Sequence, residues 1–229
     1  MLKTKIVAVS ALAVALSMTS LTANAAKPGW SIGVNANYNI IKNASSSKTG
    51  SVFGTNYKSS PVYTNKEGAG IEALAEYNFN NWFGLGASIG YSSGFESAYS
   101  VQQNSGSSKL SHRKFSLGNL SAYTRLAYTF DDKGSDVYLK AGLAVIHAKY
   151  KKDNNFDQSK TSFAPVIGIG AQYYLTEHLA VRSGIDYTFK GVQGKDSYAT
   201  STNGVRSNAH MGKLKGDLIK LNLGMIYSF

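Results

Sequence analysis

The sequence predicts an all-β chain folded as an eight-stranded antiparallel transmembrane β-barrel, and three observations lead to this fold class. The last nine residues, 221–229, alternate apolar side chains with mostly small or polar ones and end on an aromatic. Such period-two alternation is typical of a strand, and lipid is the simplest surface for its apolar face. Seven earlier segments alternate in the same way, and the links between consecutive segments are short and long in turn.

The first four predicted strands lie between residues 30 and 130. Strand one, Trp30–Ile41, has apolar residues at even positions and mostly Ser, Gly or Asn at odd ones. Strand two, Gly70–Phe79, is apolar at odd positions and leads through the tight turn Asn80-Asn81 into strand three, Trp82–Tyr91. Strand four is Phe115–Phe130. Asn and Asp are typical of tight turns, so we expect hairpins at these points.

The last four strands repeat the arrangement. An Asp-Asp-Lys-Gly turn leads into strand five, Val137–Lys149, and strand six is Phe163–Leu175. A Thr-Glu-His turn joins it to strand seven, Leu179–Lys190, and strand eight is Leu218–Phe229. The chain has many Tyr, Phe and Gly residues and only three prolines. This composition favours strands over helices.

The links fall into two length classes. Those near residues 80, 133 and 177 are short, whereas the long ones, rich in Ser, Lys, Asn and Gly, are at about 42–69, 92–114, 150–162 and 191–217. Short periplasmic turns and long extracellular loops are typical of outer-membrane barrels. An even number of strands then places both ends of the barrel in the periplasm.

Aromatic residues collect near the strand ends, where amphipathic rings meet the two bilayer interfaces. On the periplasmic side the predicted girdle is Trp30, Tyr77, Phe79, Trp82, Phe83, Tyr128, Phe130, Tyr173, Tyr227 and Phe229. On the outer side it is Tyr38, Tyr91, Phe115, Phe163, Tyr187 and Phe189.

The N-terminus predicts a secretory signal peptide over residues 1–25. Two lysines precede an apolar run at 6–16, and Ala23-Asn24-Ala25 fits a cleavage site. The run is shorter than the about 20 residues of a membrane-spanning helix. We therefore expect cleavage near Ala25 and a barrel domain over residues 26–229. Because the chain has no cysteine, we expect neither a lipoprotein anchor nor a disulfide-stapled secreted module.

Several of these features resemble the eight-stranded transmembrane domain of the OmpA family, and the architecture is similar to the OmpX/Ail group of small barrels. They are the repeated hairpin pattern, the strand Pro165–Ala171 and the terminal Tyr227-Ser228-Phe229. The resemblance implies that Tyr227 and Phe229 form an assembly signal, recognised by the barrel assembly machinery. Because the sequence ends at Phe229, we do not expect the peptidoglycan-binding domain of OmpA itself, nor a role in anchoring the cell wall.

Alternation also predicts which charged residues face the lumen. Charges facing lipid cost about 2–4 kcal/mol for Arg or Lys at the midplane, so an inward position is favoured. The residues assigned to the lumen are Glu72, Glu76, Arg125, Lys140, Arg182, Asp186 and Lys220. An eight-stranded barrel has room for packed side chains rather than a wide channel. We expect an ion-paired plug with a structural role, and the alternative is slow ion leakage. The OmpA family likewise carries an inward network of Glu, Lys and Arg.

Basic clusters are expected near the outer strand ends. Their residues are Arg113, Lys114, Lys149, Lys151, Lys152, Lys213 and Lys215. The formal charge of the chain is +11, and an exported basic chain is more suited to lipopolysaccharide phosphates or acidic host glycans than to nucleic acid. We expect a monomer in contact with outer-membrane lipid, lipopolysaccharide and host surface ligands. The alternative for these clusters is a solvated charged rim.

Three function classes follow, all in the Gram-negative outer membrane. The first is a non-enzymatic barrel that supports envelope integrity and contacts host factors or lipopolysaccharide through basic outer segments. The second is a small-solute or ion channel, and the third is a lipid-modifying enzyme, for which His147 is the candidate. The G-x-S-x-G pattern at 86–90 lies within a predicted strand rather than the strand-to-helix turn of a nucleophile elbow. We expect no catalytic residue, no cofactor and no metal.

Overall fold

The computed structural model describes residues 28–42, 48–52, 55–103, 109–151, 158–202 and 205–229. The predicted signal peptide lies outside these ranges, as does Lys152. Within them every regular element is a strand: β1 Gly29–Lys42, β2 Lys48–Val52, β3 Thr55–Asn65, β4 Glu67–Asn78, β5 Phe83–Gln103, β6 Lys109–Thr129, β7 Asp136–Lys151, β8 Gln158–Tyr174, β9 Leu179–Thr202 and β10 Val205–Ser228.

No helix in the described part of the chain is long and apolar enough to cross a membrane.

Eight of the strands form a closed ring. Their order is β5-β4-β1-β10-β9-β8-β7-β6, and a β5–β6 pairing completes the circle. All of these pairings are antiparallel. The predicted eight-stranded barrel is confirmed. Closure leaves no strand edge in the ring, so every strand finds a backbone partner on both sides.

The three short turns are built in the same way. In each, a side-chain oxygen near the start of the turn accepts backbone N–H groups just after it. Asn80 Oδ1 accepts from Phe83 at 2.8 Å, Asp131 Oδ1 from Ser135 at 2.6 Å, and Thr176 Oγ1 from Leu179 at 3.0 Å. Asn, Asp and Thr favour tight turns because they form these local bonds. We call this end of the barrel the turn end and the opposite end the hairpin end.

At the hairpin end the strands run further than the alternation predicted. β9 and β10 each have 24 residues, and β5 and β6 each have 21. A barrel strand needs only about 9–11 residues to cross the bilayer. The expectation that 42–69, 92–114 and 191–217 are long links is therefore wrong for much of their length, and the first of them also contains β2 and β3. The sequence of these stretches is mostly polar and lacks a regular period-two alternation, so it gives no strand signal.

The wall of the ring has one apolar and one polar face. Side chains such as Ile71, Leu143 and Leu223 point outward and are more than 60% exposed. Their neighbours in sequence, Glu72, Gly142 and Asn222, belong to the opposite, inward face of the strands. An apolar exterior around a polar interior is the arrangement of a membrane barrel.

The interior also contains an apolar layer at the hairpin end. Its buried residues are Ile41, Phe95, Phe115, Leu117, Ala144, Ile146, Ala148, Val166, Val192 and Leu218. Phe115, placed in the outer girdle by the sequence analysis, is 3% exposed and stacks on Phe95 with 5.1 Å between ring centroids. That assignment is wrong because Phe115 has the same odd parity as Arg125, which points inward.

Candidate functional site: the sealed lumen and the outer wall

Eight charged side chains meet in the middle of the lumen. Of the described residues there, four are acids and four are bases, and none is more than 8% exposed. They are Glu72, Glu76, Asp136, Asp186, Arg125, Lys140, Arg182 and Lys220. The structure thus brings all seven sequence-predicted lumen residues together and adds Asp136. The formal charges of this set, which we call the lumen network, cancel.

The half of the lumen network nearer the turn end is centred on Glu76. Arg182 Nη1 lies 2.8 Å from Glu76 Oε1, and Arg125 Nε lies 3.8 Å from Oε2. Arg125 also reaches Asp136, with 2.5 Å between Nη2 and Oδ1. The Tyr123 hydroxyl donates to Glu76 Oε1 at 2.8 Å. Each carboxylate is therefore compensated by a guanidinium, as burial of charge requires.

The other half is centred on Lys220, whose Nζ contacts Glu72 and lies 3.5 Å from Asp186. Lys140 Nζ lies 2.8 Å from the same Asp186 oxygen. The Asn222 amide donates to that oxygen as well, at 2.8 Å. Two ammonium groups thus share one carboxylate, and the two halves of the network fill consecutive levels of the lumen.

Aromatic rings and glycines close the remaining space. The guanidinium carbons of Arg125 and Arg182 lie 4.8 and 4.2 Å from the ring centroid of Tyr138, and the Tyr138 hydroxyl accepts from Arg182 Nε at 2.7 Å. A Cβ at Gly86 or Gly168 would come within 3 Å of the Tyr123 ring or the Lys140 chain. Only glycine leaves room for these long side chains, so the lumen is packed rather than open.

The sequence-predicted basic clusters lie at the hairpin end. Lys114 and Lys149 are exposed on β6 and β7. The ladder places Ser116 opposite Lys149 and Lys114 opposite Lys151. In β10 it places Lys213 opposite Lys195 and Lys215 opposite Gln193. Of Arg113, Lys151, Lys213 and Lys215 the structure describes the backbone, within β6, β7 and β10.

Charge is distributed unevenly along the barrel axis. Among the described residues of the hairpin-end segments 42–67, 93–114, 147–160 and 190–217, fifteen are Lys or Arg and only four are Asp or Glu. The described part of this end is therefore strongly basic.

His147 and the G-x-S-x-G pattern at 86–90, the two features with catalytic associations, both lie within strands. His147 is exposed on β7, and its Nδ1 lies 2.9 Å from Thr161 Oγ1. Gly86–Gly90 lies inside β5, where the Ser88 hydroxyl is buried against that of Ser121 at 2.7 Å. Among the described residues no group of three or more His, Asp or Glu could hold a metal ion.

The C-terminal residues are held at the turn end. The Phe229 N–H donates to the Trp30 carbonyl at 3.0 Å, and the Ser228 N–H donates to the His178 carbonyl at 2.8 Å. His178 Nδ1 lies 2.9 Å from the Ser228 carbonyl oxygen, and its ring stacks on Tyr227 at 5.6 Å. No role for His178 follows from the sequence, since a turn histidine carries no pattern that points to a distant strand.

Comparison with known proteins agrees with this architecture. The chain is similar to OprG from Pseudomonas aeruginosa, with a TM-score of 0.60 and 14% identity over 90% of this chain and 98% of that one. It is similar to Neisserial surface protein A, NspA, with a TM-score of 0.54 and 15% identity over 88% and 97% of the two chains. For Ail, the attachment invasion locus protein of Yersinia pestis, the values are 0.48 and 13% over 89% and 100%. At these identities the likeness concerns the fold alone.

A comparison with curated protein sequences gives no significant match. The family model of the outer membrane protein beta-barrel domain, however, matches residues 8–224. Since this match covers most of the sequence, the chain belongs to the outer-membrane β-barrel domain family and is a small barrel of the Gram-negative outer membrane.

Proposed function

We propose that this protein is a non-conducting, non-enzymatic surface barrel that supports the envelope and presents a basic β-structure to anionic partners outside the cell. The observation that carries the proposal is the separation of charge along the barrel axis. In the described lumen the charges of the network cancel, whereas the described residues of the hairpin-end segments include fifteen basic and four acidic ones. A positive potential on the outer side attracts phosphorylated or sulfated polymers.

The filled lumen favours this role over that of a channel. Two successive barriers block the path, namely the lumen network and the apolar layer above it. Ions crossing the first would have to displace paired side chains, and the apolar side chains of the second cannot replace their hydration. An eight-stranded barrel with this filling serves as a scaffold.

The long strands make the outer structure suitable for binding. β9 and β10 stay paired from Leu179 and Tyr227 to Thr202 and Val205, with two shifts of register. At about 3.3 Å per residue, a 24-residue strand is much longer than a bilayer crossing requires. A paired hairpin loses less conformational entropy on binding than a flexible loop.

The experiment compares charge variants of this hairpin. Lys195, Arg206, Lys213 and Lys215 are all replaced by Gln in one protein, and by the opposite basic residue in a matched control. Binding of the refolded proteins in nanodiscs to heparin is measured by surface plasmon resonance at several salt concentrations. We expect saturable, salt-sensitive binding that falls about tenfold or more in the Gln variant and is retained in the control. Equal binding by both variants, or none by the parent, would overturn the proposal.

A further inference from the structure

We propose that a pocket in the outer wall of the barrel, at an irregularity between β5 and β6, binds the phosphate group of a phosphorylated lipid in the outer leaflet. This site goes beyond the proposed function, because it faces the membrane and does not involve the β9–β10 hairpin. Its walls come from β5, β6 and β7.

The pocket exists because β5 contains a bulge. Beyond Ser92 the ladder with β6 resumes at the pair Phe95–Phe115, so two residues of β5 face Ser116 alone. One of the two, Gly94, has φ +103°, a left-handed conformation that favours glycine. The extra residue turns Phe95 into the lumen, where it stacks on Phe115. The bulge thereby opens the outer wall while the two rings close the lumen behind it.

The pocket has room for a phosphorylated sugar. Its volume is about 260 Å³, several times the about 30 Å³ that one water occupies in the liquid. Phe95 and Phe115 form part of its lining, and Ser93, Ser116 and Lys149 contribute polar groups. Because both rings are buried, the ligand enters from outside the barrel wall.

The polar lining matches a phosphate. Lys149 stands directly across the ladder from Ser116, a position with about 5 Å between Cβ atoms. Lys114, with 84% of its side chain exposed, lies two residues further along β6. Ammonium and hydroxyl donors together suit the oxygens of a phosphate. The rim also contains Glu96, whose Oε1 lies 4.0 Å from Lys114 Nζ.

The position along the barrel axis favours a membrane lipid over a soluble phosphate. Tyr91, which also lines the pocket, is 55% exposed and belongs to the outer aromatic girdle, the level of the headgroups. On the same outer face below the pocket, Leu120 and Leu143 are more than half exposed. A lipid with its phosphate in the pocket would lay its acyl chains along this apolar wall.

The test uses the full refolded protein in detergent and native mass spectrometry. The probes are bis-phosphorylated lipid A, the same lipid without its phosphates, and inorganic phosphate as competitor. The pocket variant replaces Lys114 and Lys149 by Gln. The matched control replaces Lys42 and Lys190 by Gln, two exposed lysines on β1 and β9. Ser116→Ala serves as a milder variant that keeps the charge.

We expect the pocket variant to bind the phosphorylated lipid about tenfold more weakly, Ser116→Ala to show a smaller loss, and the control to bind like the parent. Binding of the dephosphorylated lipid should be weak in all four proteins. Equal affinity of pocket variant and parent, or equal binding of both lipids, would overturn the site. Displacement by inorganic phosphate at the lipid's own concentration would overturn its assignment to a lipid. Heparin binding by the same samples reports separately on the proposed function.

Discussion

Arg182 and Glu76 form a buried ion pair across the lumen, with 2.8 Å between Nη1 and Oε1 and both side chains 2% exposed. Their strands, β9 and β4, are separated in the ring by β1 and β10. The pair therefore ties together parts of the wall that share no backbone hydrogen bonds. Since Arg125 also approaches Glu76, this one carboxylate compensates two guanidinium groups.

Replacing Glu76 by Gln should destabilise the barrel strongly. The substitution leaves the two arginines with a single acid, Asp136, among their ion-pair partners. Breaking a buried pair costs about 3–5 kcal/mol, and we expect a loss of about 3 kcal/mol in the free energy of unfolding. Guanidinium chloride unfolding in lipid vesicles, followed by tryptophan fluorescence, measures it.

The double variant Glu76→Gln with Arg182→Gln provides the control. It restores equal numbers of acids and bases in the lumen network, so it should recover at least half of the lost stability. Arg182→Gln alone completes the comparison. If the stability lost in the double variant equals the sum of the losses in the two single variants, the two residues are not coupled. Glu177→Gln, at an exposed turn position, should change stability by less than about 0.5 kcal/mol.

Opening the lumen should require changes in both barriers. Glu76→Ser with Arg182→Ser weakens the lumen network, and Phe95→Ala with Phe115→Ala weakens the apolar layer. We expect neither pair of changes alone to give ion conductance, because either the apolar layer or the lumen network remains. All four changes together should give conductance. Planar-bilayer recording of each heat-modifiable, folded variant tests this. Stable conductance in either two-residue variant would show that one barrier alone seals the barrel.

Gly94 and Gly118 should respond differently to alanine. Gly94 has φ +103°, which strains any residue with a Cβ. At Gly118 a Cβ would meet no atom closer than 3.9 Å. We expect Gly94→Ala to lose about 1 kcal/mol or more, and Gly118→Ala to be neutral or slightly stabilising. Chemical unfolding of the two variants side by side gives the comparison, and equal losses would argue against a strained bulge.

Asp217, at the hairpin end beyond the outer girdle, should titrate at an unusually low pH. The Tyr187 hydroxyl donates to its Oδ2 at 2.6 Å and the Lys190 N–H to its Oδ1 at 2.8 Å, and these bonds lower the pKa of Asp217. Their stabilisation is present above the unfolded-state pKa and is lost as pH falls through the folded-state pKa. Tyr187→Phe should raise the pKa, measured by carboxyl-carbon NMR titration. Tyr38→Phe, whose hydroxyl pairs with Glu67 instead, should leave it unchanged.

His178 should protect the end of the chain. Its Nδ1 bonds the Ser228 carbonyl, and its ring stacks on Tyr227. Loss of one hydrogen bond costs about 1 kcal/mol, so His178→Ala should speed hydrogen exchange at the amides of Ser228 and Phe229 about fivefold. Amides in the middle of β10 serve as the internal reference. Unchanged exchange at the two terminal amides would show that the backbone pairing suffices.

Local patterns were enough to predict the eight barrel strands and the inward charges. A strand with lipid on one side needs an apolar residue at every second position, and this requirement leaves a signal in the sequence. The same parity places Glu72 or Arg182 inside, since neither is tolerated in lipid. Local patterns could not predict which acid pairs with which base. Glu76 and Arg182 come together only when the ring closes, and this depends on the register of all eight strands.

Two features were missed for related reasons. Asp136 is the first residue of β7 and precedes the alternating segment, so parity assigned it to no face. At Ile41 or Ile146 the inward side chain is as apolar as the outward ones, and the contrast that marks a barrel strand disappears. The outer halves of β9 and β10 gave no signal for the opposite reason, because their sequence has few apolar residues.

Planar-bilayer recording of the purified, refolded parent protein tests whether the lumen is closed to ions. A lumen closed by the lumen network and the apolar layer predicts no stable conductance steps over a wide range of voltage. Reproducible unitary steps from folded protein, altered in size by Glu76→Gln, would contradict the account and identify the barrel as a channel.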